Sequence, residues 1–389
     1  MIARDASAQL ARLRRQAPVL AVVGPRQSGK STLIKATFPD LPCANLEDPE
    51  VRAFAQSDPR GFLARFPDGA FLDEVQRCPD LFSYIQVAVG EKRKQCMFVL
   101  AGSQNFLLLE QITQSLAGRV LFLTLLPFSL GELEAGGYPQ RSLDTLLWTG
   151  CYPPIYDREV EPGLWYSGYV STYVERDVRQ VLRIKDLDTF QRFLGLCAAR
   201  TGQLLNYSSL AMDCGVSLNT IKEWLSVLRA SFVVHVLQPY HRSFSKRLVK
   251  HPKLYFLDTG LAAHLLRIRS VEELSLHPMR GALFENWVVA ECLKRRYHAA
   301  QDSNLFFWRN HTGEEVDLIA DHGQKLLPIE CKSGATVASD WFAPIRKFVE
   351  LAGKAAEPPW LVYGGTERYQ RESVEVVGWR KLDELLPEL

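Results

Sequence analysis

VLAVVGPRQSGKST, residues 19–32, joins a short apolar run to a glycine-rich turn that ends in lysine and serine. Its last nine residues fit G-x-x-x-x-G-K-[ST], with Gly24, Gly29, Lys30 and Ser31 at the fixed positions. The glycines let the backbone curl so that its N–H groups point at phosphate oxygens. Lysine brings positive charge to the β- and γ-phosphates, and the serine hydroxyl ligates Mg²⁺. A helix starting at Ser31 adds the positive end of its dipole. The spacing therefore predicts ATP and Mg²⁺ as ligands, held along Gly24, Pro25, Arg26, Gln27, Ser28, Gly29, Lys30, Ser31 and Thr32.

Outward from this loop the pattern is that of an α/β sheet. GAFLDE (69–74), CMFVLAGS (96–103) and RVLFLTLLPF (119–128) are further apolar strand runs separated by helical stretches. Such alternation builds parallel strands. GAFLDE ends in two acids: Asp73 is placed to hold magnesium with Ser31, and Glu74 to orient and polarise the attacking water. The next run ends in polar residues, and Ser103 is the candidate sensor of the γ-phosphate or the water, with Gln104 and Asn105 as alternatives. Arg119, just before the last run, is the first candidate for an arginine supplied to a neighbouring subunit to stabilise transition-state charge. Arg176 and Arg179, in YVERDVR, come next.

At 389 residues the chain is too long for one compact core, and two or three domains are expected. Hydrophobic content of 47% and charged content of 23% are those of an ordinary globular protein. The net charge of +2 neither demands nor excludes a nucleic-acid partner, because a basic stripe can sit inside a balanced total. The 8 cysteines form no CxxC pair, so neither a zinc site nor a disulfide framework is suggested, and free thiols fit a reducing cytosol. No secretory-type apolar run follows the arginines of MIARDASAQLARLRRQ. No apolar stretch approaches the roughly 18–20 residues a membrane helix needs. A cytoplasmic protein with no membrane partner is expected.

In order along the chain, GPRQSGKST, FLDEVQRCPDLF, LAGSQNFLL, SLAGRVLFLTLLPFS and ERDVR resemble a large prokaryotic ATPase family of the AAA+ superfamily, the AAA_14/DUF4143 type. The resemblance covers nearly the whole length. It implies a P-loop AAA+-type ATPase and self-association into a ring homo-oligomer, a hexamer; the strand pattern itself changes after about residue 140, so the core is read over 1–140 and a helical lid, from helical periodicity, over 141–200.

LNYSSLAMDCGVSLNTIKEWLSVLRASFVVHVLQPY (205–240) has helix-turn-helix spacing. Leu210 and Ala211 lie on a first short helix and Gly215 makes the turn. Ser217 can cap a second helix carrying Ile221, Trp224, Leu225 and Leu228. The sequence after it reads as a β-hairpin with a basic loop, and the whole of 201–265 resembles a winged helix. On that reading DNA meets Asn219, Thr220 and Lys222 on the second helix. Arg242, Lys246 and Arg247, with His241 and Lys250, charge the wing.

LLPIECKSG (326–334) sets Glu330 and Lys332 on one side of a strand. Asp317, in GEEVDLIA, lies on the run before it, and Glu285, in RGALFENWVV, on a preceding helix; Glu314 and Glu315 leave the choice within GEEVD open. Carboxylates and a lysine on one face suit metal-assisted phosphodiester cleavage: hard oxygens hold Mg²⁺ and the lysine positions or deprotonates its water. This order resembles the PD-(D/E)xK nucleases over 266–389, including archaeal Holliday-junction resolvases, which open with a similar RG…E helix. It departs from them at Cys331, where an aliphatic residue is usual, and at Val316, where proline is usual. Three functions follow as expectations. One is an ATP-driven motor that remodels or unwinds DNA, including branched recombination and repair intermediates such as Holliday junctions. The second is a regulatory NTPase switch with a protein partner and an inactive nuclease fold. The third is an ATP-gated, Mg²⁺-dependent endonuclease.

Overall fold

The structure is a computed structural model that describes residues 2–92, 97–102, 112, 115–174, 186–240, 250–385 and 389. They divide into two compact units. The first comprises Met1–Phe128, Ala230–Phe232 and Tyr297–Gln301; the second comprises Ser129–Arg229, Val233–Arg296 and Asp302–Leu389.

The first unit is built on five parallel strands: β1 (Val19–Val23), β2 (Cys43–Asn45), β3 (Ala70–Asp73), β4 (Phe98–Ala101) and β5 (Val120–Thr124). Their order is β2-β3-β4-β1-β5. All five residues of β1 are buried, because alternate side chains enter two cores. Val19, Ala21 and Val23 pack with Leu72 and Leu100 on one face. Leu20 and Val22 pack with Leu33, Ile34 and Val99 on the other, under the helices Ala6–Leu13 and Lys30–Thr37. Each such fully buried Leu or Val is worth roughly 1.5–3 kcal/mol over exposure. β2 escapes a reading of apolar runs because it is only CAN, with one buried position.

Register places the functional edge. Phe98 of β4 pairs with Val19 of β1 on one side and with Ala70 of β3 on the other. The three strands therefore start level and end level. The loop after β1 and the acids ending β3 emerge at the same carboxyl edge, where open α/β sheets bind ligands.

In the second unit, the helices Tyr207–Cys214 and Leu218–Ala230 are joined through Gly215, whose φ of 71° is the left-handed conformation glycine accepts without strain. Asn206 caps the first helix through Ser208 N and Ser209 N, both at 3.0 Å, and Ser217 Oγ accepts from Thr220 N at 3.1 Å at the start of the second. Ile221, Trp224, Leu225 and Leu228 are the buried face of that second helix. Strands β6 (Val234–Leu237) and β7 (Lys253–Phe256) follow and pair antiparallel. The stretch 241–249 between them lies outside the described residues.

The rest of this unit is a mixed six-stranded sheet behind the long helix Arg280–His298. β8 (Leu305–Arg309), β9 (Glu315–Asp321) and β10 (Leu326–Lys332) are antiparallel neighbours. β11 (Trp360–Tyr363) and β13 (Val374–Gly378) continue parallel, and β12 (Arg368–Arg371) closes the edge antiparallel to β13. The apolar-run reading ends at the helix after β10 and misses β11–β13. WLVY is only four residues long, and a buried run that short has no periodicity to separate strand from helix. Among the described residues no helix is long and apolar enough to cross a membrane.

Candidate functional site

The glycine-rich loop curls as its residue types predict. Gly24 takes φ 146°, and a Cβ there would meet the Leu125 carbonyl oxygen at 2.1 Å. Gly29 takes φ 92°, and Gln27, at φ 59°, accepts a left-handed conformation that costs a side chain energy. Lys30 opens the helix and folds back over the loop, where its ammonium donates to Gly24 O at 3.0 Å and Pro25 O at 2.8 Å. The first-turn amides of Lys30–Thr37 point out of its N-terminus, the donor array a phosphate uses.

Arg4 is a member of this site that sequence reasoning missed. Its guanidinium donates to Ser28 O at 2.7 Å and Leu126 O at 2.6 Å and lies 4.8 Å from the Phe128 ring centre. It is buried and holds the loop from behind. Nothing in MIARDAS distinguishes it from a surface arginine.

Asp73 ends β3, accepts from Glu74 N at 3.1 Å and has the Ser31 hydroxyl beside it. Burial pushes its carboxyl above the usual range; the Ser31 bond pulls it back and the neighbouring Glu74 charge raises it. Glu74 leaves the strand at φ 54° and accepts from Gln76 Nε2 at 2.5 Å. Ser103, Gln104 and Asn105 lie outside the described residues, as do Arg176 and Arg179. Arg119 is exposed at the amino end of β5, where Val120 pairs with Val19. It is one strand length, about 16 Å, from the carboxyl edge that carries the loop.

A second cluster lies wholly within the second unit. Glu285 projects from the long helix, Glu315 and Asp317 from β9, and their carboxylate oxygens fall within 4.8 Å of one another. Glu330 and Lys332, on β10, pair at 2.5 Å. Asp317 Oδ2 also accepts from Cys331 N at 2.9 Å. Within GEEVD the inward residue beside Asp317 is Glu315; Glu314 turns outward to Lys347 at 2.9 Å and Asn310 at 2.5 Å. Arg280, which opens the RG…E helix, pairs with Asp144 at 2.6 Å and donates to Ser333 O at 2.8 Å.

Sequence reasoning missed the group at the centre of this cluster. Lys253 Nζ lies 2.8 Å from Glu285 Oε1 and 3.8 Å from Asp317 Oδ1, and it pairs with Glu315. Tyr255, two residues along β7, donates to Glu285 Oε1 at 2.5 Å. Burial opposes the Lys253 charge, but Tyr255, Glu285, Asp317 and Glu315 hold its pKa well above the ordinary value. Burial first, then the Asp317 charge, pushes Glu285 up to about 7 and Glu330 up to about 8.

At the second helix of the helix–turn–helix, Asn219 and Lys222 are exposed and Thr220 is half-buried, its hydroxyl 2.8 Å from that of Ser217. Lys250 is exposed; His241, Arg242, Lys246 and Arg247 lie outside the described residues.

A phosphate-cradling loop at the carboxyl edge of a parallel sheet, with a strand-end aspartate beside the loop serine, defines a P-loop ATPase. Residues 16–134 match the family model of an AAA domain, residues 140–272 that of a domain of unknown function (DUF8612), and residues 280–382 that of a domain of unknown function (DUF4143). Uncharacterized protein Rv2008c of Mycobacterium tuberculosis and Uncharacterized protein Mb2031c of Mycobacterium bovis are each 30% identical over 336 residues, covering 86% of this chain and 74% of the relative. The chain belongs to their family, the P-loop ATPases of the AAA_14/DUF4143 type. Among solved structures it is similar to the Walker-type ATPase paby2304 of Pyrococcus abyssi, at 15% identity and a TM-score of 0.47, over 69% of this chain and 96% of that one.

Proposed function

We propose that this chain hydrolyses ATP with Mg²⁺ at the loop and uses the cycle to remodel or unwind DNA. The observation that carries hydrolysis is the Ser31 hydroxyl beside the Asp73 carboxylate, since both residue types are Mg²⁺ ligands in phosphoryl transfer. Ser31 and Asp73 would hold Mg²⁺, whose charge would offset that of the β- and γ-phosphates. Lys30 exchanges its bonds to Gly24 O and Pro25 O for phosphate oxygens. Glu74, released from Gln76, orients the attacking water. Arg119 cannot serve the loop of its own chain, so on this reading it completes a neighbour's site in a ring, a hexamer by family resemblance. Ser103 is the sensor.

DNA as the partner rests on the helix–turn–helix and on exposed Asn219 and Lys222 at the start of its second helix. In this reading 1–140 is the ATPase core, 141–200 its lid, 201–265 a winged helix and 266–389 a nuclease-like domain in a cytoplasmic protein. Branched DNA is the favoured substrate on the strength of the resolvase-like helix. One observation favours the second reading, a regulatory switch with an inert nuclease-like fold: the ammonium of Lys253 sits inside the acid cluster.

The test is ATP hydrolysis by the full chain with no nucleic acid, with duplex, with single strands and with a four-way junction, the DNA then being run on a gel. Stimulation by one form, lost with unwinding in Lys30→Ala, supports the motor. Flat rates with intact, unbound DNA support the switch, and unwinding that persists in Lys30→Ala overturns ATP as its source. Cut products that appear only with Mg²⁺ and ATP support the endonuclease instead.

A further inference from the structure

Metal-assisted cleavage needs a divalent cation between hard oxygens. Glu285, Glu315 and Asp317 supply such oxygens, close enough to share one ion. The position between them is already taken by the Lys253 ammonium, in contact with all three carboxylates. This lysine is not a surface side chain that has drifted in. It is 1% exposed, and all four positions of β7 are buried.

The strand that carries it is fastened on both sides. Leu254 O accepts from Gly202 N at 2.8 Å, and Lys253 bridges to Leu204. Asn286, one residue after Glu285, accepts from Phe256 N at 2.7 Å and donates to Phe256 O at 2.8 Å. The Phe307 ring covers the ammonium at 5.5 Å. An ammonium and a divalent cation need the same oxygens and repel each other, so the cluster in this arrangement does not fit a metal.

Glu330, on β10, adds a further buried acid close to Glu285 and Asp317. Its side chain is almost fully buried, and while Oε1 takes Lys332, Oε2 has no hydrogen-bond partner among the described residues. A buried acceptor left bare is costly unless a cation or donor reaches it.

We propose that Lys253 is the resident cation of this centre: an ammonium carried on β7 stands among three carboxylates that could share a divalent cation, and it keeps that latent cation site closed. The proposal is independent of the ATP site and of the choice of partner. It rests only on the geometry of the acid cluster.

The test is Mn²⁺ binding, followed by the electron-paramagnetic-resonance signal of free Mn²⁺, to full-length protein without nucleotide. Four proteins are compared: wild type, Asp317→Asn, Lys253→Met, and Lys253→Met with Asp317→Asn. The expected result is that wild type and Asp317→Asn bind alike, with no site depending on Asp317. Lys253→Met gains a saturable site, and adding Asp317→Asn removes it. In parallel, Mn²⁺ raises the melting temperature of Lys253→Met and leaves that of wild type unchanged. A wild-type Mn²⁺ site lost in Asp317→Asn overturns the proposal, and this comparison stands even if Lys253→Met folds poorly. A folded Lys253→Met that binds no Mn²⁺ overturns it equally. Because the readout is metal binding, it is unaffected by whether the chain acts on DNA.

Discussion

The Ser31 hydroxyl sits beside the Asp73 carboxylate, where the loop after β1 meets the end of β3 across the carboxyl edge of β4. Asp73→Asn keeps the shape and removes the charge that a hard cation needs. It is expected to lower kcat by roughly 10²–10³ and to raise the Mg²⁺ concentration for half-maximal rate. A Mg²⁺ titration of the ATPase rate checks this; an unchanged Mg²⁺ requirement would show that the pair is only structural.

Gly24→Ala tests the loop backbone. Its Cβ would meet Leu125 O at 2.1 Å, at a φ of 146° that side chains rarely adopt. Since Leu125 O is backbone next to β5, held through Leu125 N to Val23 O at 2.8 Å, the loop has to shift. The expected cost is on the order of 1–3 kcal/mol of stability, with loss of nucleotide binding. Urea denaturation and binding of a fluorescent ATP analogue read the two effects separately.

Arg4 braces the same loop with two charge-assisted bonds to buried carbonyls. Arg4→Ala is expected to cost roughly 1.5–3 kcal/mol and to weaken ATP binding, although Arg4 belongs to no nucleotide-binding motif. Arg4→Lys recovers only part of this, because an ammonium cannot reach two divergent carbonyls as a planar fork does. Equal stability of wild type and Arg4→Ala would dismiss the brace.

The acid cluster predicts a pH dependence. Glu285 and Glu330 are raised from 4.5 to about 7 and about 8 in the folded chain. The folded state therefore keeps protons that the unfolded chain has already released. Stability is fullest below the ordinary glutamate range and falls as pH rises toward about 8. Glu330→Gln removes one of these titrations and should flatten the fall. Melting temperatures of both proteins between about pH 5 and 8 decide it; parallel slopes would count against a raised Glu330.

How much was legible follows from how far apart the cooperating residues lie. The shape of residues 24–32 is set by their own backbone, so the loop reads off consecutive letters, and the five-residue apolar run before it reads as a buried strand. Asp73 was legible because an acid at the end of an apolar run falls at the carboxyl edge of any parallel strand. The Gly215 turn and the Ser217 cap were legible for the same local reason. Arg4 was not: its partners, Ser28 and Leu126, become neighbours only when β1 and β5 pair. The strands β11–β13 were not, being short runs whose pairing depends on β10 lying beside them.

The sequence by itself determined the nucleotide-binding loop, its acid, and the residue types of a second, acidic centre. Only the tertiary structure decided what fills that centre. Glu315, not Glu314, turns inward, because alternation along β9 puts it on the face of Asp317. Lys253 reaches Glu285 from 32 residues away, through the pairing of β7 with β6 and its hydrogen bonds to Asn286. A buried charge takes its partner from whatever the packed backbone brings within reach, and that proximity is written in no local stretch of the chain.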